Sequence, residues 1–112
     1  MQNIEQNNEK AYYSIGEVSR IFNVNTSLLR FWEKEFPQLK PYKNAKGTRY
    51  YTPEDIHLIR SIYYLVKQKG YTLDGARTKL ASDKKKVDAN AQILASLENL
   101  KSFLQNIKKQ LE

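Results

Sequence analysis

The apolar residues nearest the start of the chain predict two short helices joined by a tight turn. Ser14 and Glu17 match a capping box, which marks the start of the first helix. Its apolar face consists of Ile15, Val18, Ile21 and Phe22. Asn25 can cap the second helix, and Pro37 prevents that helix from continuing. The apolar face of the second helix consists of Leu28, Leu29, Trp32 and Phe36.

Residues 39–51 depart from helical spacing and predict a β-hairpin. Two short aromatic-containing pieces flank the turn sequence Asn44-Ala45-Lys46-Gly47. Gly47 can adopt the positive φ that such a turn requires. The alternation of polar and apolar residues is imperfect, so the prediction rests partly on the chemistry of the turn.

A third helix is predicted from Thr52 to the region before Gly70. Thr52 is a favourable N-cap, Pro53 suits the first helical position, and Gly70 suits the position after the last turn. The apolar face of this helix consists of Ile56, Ile59, Ile62, Tyr63 and Val66. Thr72 can cap a short fourth helix with Leu73, Ala76 and Leu80 on its apolar face. Residues 81–90 are polar and predict no definite element.

The last part of the chain shows a heptad pattern of apolar residues. They are spaced 4, 3, 4, 3 and 4 positions apart: Ile93, Leu97, Leu100, Leu104, Ile107 and Leu111. A helix of roughly 22 residues would span about 33 Å and carry this seam along one side. Because the sequence shows no second long helix to cover the seam, it predicts a coiled-coil homodimer.

Charge adds a candidate partner to this picture. The 112 residues include 19 Lys and Arg against 12 Asp and Glu, so the formal net charge is +7. A basic balance of this size indicates an anionic partner. Nucleic acid is the first candidate and an acidic membrane surface is the second.

Several classes of protein are excluded by composition. The absence of cysteine excludes a disulfide scaffold, a thiolate zinc site and a cysteine nucleophile. No apolar run approaches the ~20 residues of a membrane span, and the first residues lack a signal-peptide pattern. We therefore expect a soluble cytoplasmic protein with no membrane partner. Residues 1–11 are mostly Asn, Gln and Glu and are expected to form a disordered tail.

The sequence shows no sign of catalytic or metal chemistry. His57 is the only histidine and has no cysteine nearby. Glu33 and Glu35, with Lys34 between them, indicate a solvated helix edge rather than a catalytic pair. No glycine-rich phosphate loop is present. We therefore expect no enzyme activity, no cofactor and no bound metal.

The first two helices are candidates for a DNA-binding helix-turn-helix. Ser27, Arg30 and Lys34 lie on the polar face of the second helix, near Phe31. A helix fits the major groove, where guanidinium groups match phosphate or guanine. The alternative is an ordinary solvated helix face.

The hairpin that follows favours the DNA-binding interpretation. Four cations and no acid occupy ten consecutive residues: Lys40, Lys43, Lys46 and Arg49. A basic hairpin after a helix-turn-helix can serve as a wing that contacts flanking phosphates. Three tyrosines are interleaved with these cations, some expected in the core and some with hydroxyls free to meet phosphate: Tyr42, Tyr50 and Tyr51. The alternative is a solubilising loop.

Four motifs in succession resemble those of the MerR family of transcriptional regulators. They are Tyr13-Ser14-Ile15-Gly16-Glu17-Val18, Leu29-Arg30-Phe31-Trp32-Glu33, Gly47-Thr48-Arg49-Tyr50-Tyr51-Thr52-Pro53-Glu54-Asp55-Ile56 and Gly70-Tyr71-Thr72-Leu73. The resemblance covers residues 12–82. It implies a mainly α fold with a small β-hairpin, a winged helix-turn-helix over residues 12–82, and a coiled-coil dimerisation helix over residues 83–112.

The resemblance also implies partners and site residues. The partners are double-stranded operator DNA at a promoter, which the family distorts to control RNA polymerase. Arg30 matches the family's phosphate-contacting arginine, and Arg49 matches the arginine of the wing. Phe31 and Trp32 match a pair that is usually Tyr-Tyr. The predicted DNA-contacting residues are Ser14, Thr26, Ser27, Arg30, Phe31, Trp32, Lys34, Lys43, Lys46, Arg49 and Tyr50.

The sequence departs from the family pattern in two ways. Phe31 lacks the hydroxyl that usually donates to phosphate, whereas Trp32 keeps an indole N–H donor but also suits the core. No sequence follows the heptad seam, so we expect no sensor domain.

Two alternative functions stay open at the level of sequence. The same winged domain could belong to an excisionase-like or architectural protein that bends DNA for recombination. The chain could also be a coiled-coil interaction adaptor whose basic charge is incidental.

Overall fold

A computed structural model describes residues 11–111 of the chain. The expected tail, residues 1–11, lies outside this range except for Ala11, which is exposed. The described elements are β1 (Tyr13–Ser14), α1 (Ile15–Phe22), α2 (Thr26–Glu35), β2 (Tyr42–Lys43), β3 (Arg49–Tyr51), α3 (Pro53–Tyr63), a π-helical turn (Tyr64–Gln68) and α4 (Leu73–Leu111). The mainly helical fold class with a small β-hairpin is therefore confirmed.

The chain divides into two compact units within α3. The first unit ends at Ile59 and the second begins at Arg60. This structural division differs from the functional division predicted between residues 12–82 and 83–112. The functional division stays a prediction.

Local capping signals position the first two helices of the first unit. The Ser14 backbone N–H donates to Glu17 Oε1 at 2.8 Å, and the Glu17 N–H donates to Ser14 Oγ at 3.1 Å. The predicted capping box is thereby confirmed. Asn23 closes α1 in the left-handed conformation, with φ 54°. Asn25 occupies the predicted N-cap of α2, but its side chain makes no capping hydrogen bond.

The hairpin belongs to a three-stranded antiparallel sheet in the order β1-β3-β2. Its turn follows the predicted chemistry, because Gly47 has φ 83° and Asn44 Oδ1 accepts from the Lys46 and Thr48 amides. Strand β1 was not predicted. It contains only two residues, so no alternation of polar and apolar side chains can reveal it.

The core of the first unit combines α1, α2, β3 and the start of α3. Thr52 and Asp55 form a second reciprocal cap, with distances of 3.0 and 3.2 Å, which starts α3 where predicted. The buried apolar residues of this unit are Val18, Leu29, Trp32, Phe36, Leu39, Tyr51, Ile56, Leu58 and Ile59.

The second unit contains a π-helical turn where the sequence predicts an uninterrupted third helix. The Lys69 N–H donates to the Tyr64 carbonyl at 2.8 Å, a wider spacing than an α-helix uses. Gly70 follows this turn, as predicted, and has a positive φ of 77°. Thr72 Oγ1 accepts from the Gly75 N–H at 3.0 Å and caps the next helix, as predicted.

The next helical range, α4, is broken at Asp83, where φ is −150° and ψ is 42°. The predicted short helix lies before this break, and most of the ambiguous residues 81–90 together with the heptad seam form a second helix after it. Asp88 ties α4 to the end of α3, because it accepts a 2.5 Å hydrogen bond from Ser61 Oγ. Lys84 Nζ lies 2.7 Å from the same carboxylate.

The buried part of α4 ends well before the helix does. Ala76, Leu80, Val87 and Ala91 are its buried residues. All six residues of the predicted seam are exposed, by between 39% for Ile107 and 83% for Leu111. No helix among residues 11–111 is both long and apolar enough to cross a membrane.

Candidate nucleic-acid interface

The polar face of α2 is open to solvent in the first unit. Ser27, Arg30 and Lys34 are exposed, and Thr26 is half-buried at the start of the helix. Arg30 Nη1 donates to Thr26 Oγ1 at 3.3 Å, which lays the guanidinium along the helix surface. The exposed side chains therefore form one continuous polar strip.

Phe31 adds an apolar contact surface beside this strip. Its ring is 43% exposed, although large aromatic residues are usually well buried. An exposed ring at this position can pack against a sugar but cannot donate a hydrogen bond to phosphate.

Trp32 corrects the predicted site. Its side chain is only 1% exposed. Leu29 and Phe36, three and four residues away along the sequence, are buried as well. Residues spaced by three and four positions share one helix face, so the face that holds Leu29 and Phe36 also holds Trp32. The prediction that Trp32 contacts DNA is therefore wrong, and its indole is part of the core.

Ser14 already has a local role in the structure. Its hydroxyl accepts the Glu17 N–H, and the residue is half-buried. A contact between Ser14 and DNA stays a prediction. The Ser14 hydroxyl would have to make that contact while it still accepts the hydrogen bond from the Glu17 N–H.

The cations of the hairpin differ in their surroundings. Lys43 and Lys46 are exposed, whereas the Arg49 side chain is 23% exposed. Arg49 Nε donates to Glu33 Oε2 at 2.6 Å, and Lys43 Nζ lies 3.7 Å from Glu33 Oε1. Two cations of the hairpin therefore meet one carboxylate of α2.

Glu33 is not the solvated helix edge that the sequence indicated. Its side chain is only 11% exposed. Besides the two cations, it accepts a hydrogen bond from the Tyr51 hydroxyl at 3.3 Å. Sequence spacing could not reveal this role, because the three partners lie ten or more residues away along the chain.

Tyr51 supplies a hydroxyl donor to this group, which we call the Glu33 cluster: Glu33, Lys43, Arg49 and Tyr51. Burial raises the pKa of Tyr51 above its usual range, and the nearby Glu33 carboxylate raises it further. Both effects favour the protonated hydroxyl, which is the form that donates to Glu33. Because this side chain is fully buried, it belongs to the tyrosines that were expected in the core.

The small sheet has two chemically different faces. In β2 and β3, Lys43 pairs with Arg49 and Tyr42 pairs with Tyr50. Because side chains alternate along a strand, the pair that contacts Glu33 and the tyrosine pair lie on opposite faces. The sheet therefore joins α2 through one face and presents tyrosines on the other.

The tyrosine face contains one residue that the sequence did not single out. The rings of Tyr12, Tyr42 and Tyr50 have centroids 6.2–6.5 Å apart. Tyr12 is 53% exposed and Tyr42 is 60% exposed, whereas Tyr50 is half-buried. Tyr12 lies beside the predicted tail, and only the three-stranded sheet brings it to Tyr42 and Tyr50.

The heptad seam belongs to the second unit. Leu97, Leu100 and Leu104 line a shallow apolar groove together with Lys101, Gln105 and Lys108. A contiguous exposed apolar patch of this kind is typical of an interaction surface.

Two curated relatives are similar to this chain in sequence. The HTH-type transcriptional regulator MlrA of Salmonella typhimurium (strain SL1344) is 33% identical over 73 residues, which are 65% of this chain and 30% of that protein. The MlrA of Escherichia coli (strain K12) is 38% identical over 52 residues, which are 46% of this chain and 21% of that protein. The chain thus spans less than a third of the length of the relatives that it matches.

Two solved structures share the fold. A MerR family transcriptional regulator from Bacillus cereus has a TM-score of 0.56 at 20% identity, covering 88% of this chain and 78% of that one. HiNmlR, described as a MerR family regulator lacking the sensor domain and bound to promoter DNA, has a TM-score of 0.52 at 17% identity. It covers 89% of this chain and 87% of that one.

The family itself follows from the match of a sequence model. The model described as "MerR HTH family regulatory protein" matches residues 13–83, from β1 through the helix pair, the hairpin and α3 to the break in α4. This range is more than half of the chain and includes all four motifs quoted above. The chain therefore belongs to the MerR family of helix-turn-helix regulatory proteins.

Proposed function

We propose that this chain is a sequence-specific, double-stranded DNA-binding transcriptional regulator that acts as a homodimer. The observation that carries the proposal is the exposed polar strip of α2 in the same unit as a basic hairpin. A helix of this kind can enter the major groove while a neighbouring hairpin contacts the backbone. The promoter DNA bound to HiNmlR, a protein with the same fold, supports this choice of partner.

Each residue of the interface has a role in this proposal. Ser27 lies near the N-terminal end of α2, where base edges are read. Arg30 and Lys34 contact phosphate, and Phe31 packs against sugar. In the hairpin, Lys46 and Arg49 contact the flanking backbone, with Lys43 on the same face of the sheet as Arg49. Tyr50 lies on the opposite face and would contact DNA from that side. Thr26 contributes through its hydrogen bond to Arg30.

The homodimer forms through the heptad seam. All six seam residues are exposed in the single chain. A second copy carries the same apolar seam, against which the first can pack. A dimer presents two copies of α2 to two half-sites. The second half-site then binds at high effective concentration, which raises affinity for the whole operator.

The proposed dimer distorts promoter DNA and thereby acts on RNA polymerase. A duplex whose half-site spacing does not match the two recognition helices must bend or untwist. Such deformation costs on the order of 1–6 kcal/mol and is offset by additional backbone contacts. Circular-permutation gel shifts measure the bend directly, and an unbent operator in the complex would remove the distortion from the proposal.

Salt dependence tests the DNA-binding part of the proposal. A dimer that contacts about 6–10 phosphates should lose ~10³–10⁵-fold in affinity between about 50 and 200 mM salt. Fluorescence anisotropy with a duplex selected from a random-sequence library measures this dependence. A nearly flat response, or no binding to any duplex at low salt, would contradict the proposal.

A further inference from the structure

Glu33 places a half-buried negative charge against two cations of the hairpin. Its carboxylate is within 2.6 Å of Arg49 Nε, 3.3 Å of the Tyr51 hydroxyl and 3.7 Å of Lys43 Nζ. Only 11% of the side chain is exposed. These contacts join the third turn of α2 to both strands of the hairpin.

The geometry of the contact defines the direction of Arg49. Because a guanidinium is planar, a short hydrogen bond from Nε leaves its orientation little freedom. Glu33 engages Nε, and this contact does not use the two Nη groups of the guanidinium, which can donate to a further acceptor. Phosphate is an acceptor of matching geometry.

Tyr51 makes the carboxylate a defined anchor. Its hydroxyl donates to the same Oε2 atom that Arg49 engages, and its ring is fully buried. Because this hydrogen bond comes from a buried side chain, it restricts the movement of the Glu33 carboxylate. Arg49 is therefore tied through Glu33 to the core of the first unit.

We infer that Glu33 is a positioning residue for DNA binding, which couples the recognition helix to the hairpin by orienting Arg49 toward the phosphate backbone. This inference rests on the proposed DNA-binding function. It assigns a favourable role to a group whose charge alone would repel phosphate. The two effects have opposite signs, so mutation separates them.

The first experiment compares Glu33→Ala with Glu33→Gln in the full chain. Both variants remove the negative charge, but the amide oxygen of the introduced glutamine can still accept from Arg49 and Tyr51. If positioning dominates, Glu33→Ala should bind on the order of tenfold more weakly. Glu33→Gln should retain most of the affinity that Glu33→Ala loses. If charge dominates, both variants should bind more tightly than the wild type and equally well, which would overturn the inference.

The probe is a duplex that the wild-type chain selects from a random-sequence library, measured by fluorescence anisotropy over a salt series. Loss of the Arg49 contact should also lower the slope of log affinity against log salt by about 0.9 for each phosphate released. Glu54→Ala is the matched control, because it removes the same charge from an exposed position of the first unit outside the Glu33 cluster. The control should not lower the slope.

A double variant tests whether Glu33 acts through Arg49. In the Arg49→Ala background, Glu33→Ala should weaken binding no further. An equal additional loss in that background would show that Glu33 acts elsewhere. Thermal unfolding of each variant identifies any loss of binding that comes from loss of the fold.

Arg49→Lys decides the question even if Glu33→Ala does not fold. Lysine keeps the positive charge but lacks the planar donor array that Glu33 orients. Positioning predicts that Arg49→Lys loses nearly as much affinity as Arg49→Ala, whereas a simple charge effect predicts nearly wild-type affinity and would overturn the inference. Failure of the wild type to bind any duplex would instead contradict the proposed function.

Discussion

Replacing Leu97 and Leu104 together by alanine should separate dimerisation from folding. Both leucines lie on the heptad seam of α4, and they are 57% and 55% exposed in the single chain. They contribute little to the core of the second unit, whose buried α4 residues end at Ala91. The double variant should therefore keep the fold and the thermal stability of the monomer.

The expected loss of dimer stability follows from the leucine surface that is exposed in the single chain and becomes buried in the dimer. Complete burial of an exposed leucine side chain is worth about 1.5–3 kcal/mol. Since slightly more than half of each side chain is exposed, dimerisation can gain about 1 kcal/mol or somewhat more from each. A dimer contains four such side chains, so the double variant should lose about 4–6 kcal/mol, or ~10³–10⁴-fold in the dimer dissociation constant.

Sedimentation equilibrium over a range of protein concentrations measures this change. Ser102→Ala is the matched control, because Ser102 is exposed on the same helix but lies outside the seam. Operator affinity should fall together with dimer formation in the leucine variant and stay unchanged in the control. A leucine variant that dimerises as tightly as the wild type would refute the seam as the interface.

The remaining predictions concern the first unit. Arg30→Ala should weaken binding to all duplexes by a similar factor, because its proposed partner is phosphate. Ser27→Ala should mainly change the preferred sequence. Binding-site selection from a random library measures both effects. If Arg30→Ala changed the preferred sequence and Ser27→Ala did not, the proposed orientation of α2 would be wrong. Trp32→Ala should destabilise the fold by about 3–5 kcal/mol, because it removes a large side chain that is only 1% exposed. Chemical denaturation measures this loss, and a near-neutral effect would contradict the placement of Trp32 in the core.

The signals that the sequence carries locally were sufficient for most of the secondary structure. The Ser14–Glu17 capping box, the left-handed Gly47 and Gly70, and the Thr52 cap all appear where they were predicted. Each depends on residues within about one helical turn or one tight turn, where backbone geometry and side-chain reach decide the outcome. The family was indicated by the four motifs, all of which lie within the matched residues 13–83.

The features that the sequence missed depend on contacts between residues far apart in the chain. Strand β1 is too short to show a pattern and forms only because β3 pairs with it. In the second unit, hydrophobic periodicity predicts the third helix but not the π-helical turn at Tyr64–Gln68 that ends it.

The candidate site shows the same division. The cations and polar residues of α2 and the hairpin could be read from the sequence. The burial of Trp32 and the contact between Glu33 and Arg49 depend on tertiary packing. A helix can present its apolar stripe to the core in slightly different rotations, and packing selects the one that buries Trp32 with Leu29 and Phe36. The Glu33 carboxylate can hold Arg49 only because the fold brings Arg49 and Tyr51, 16 and 18 residues away, to the same oxygen, Oε2.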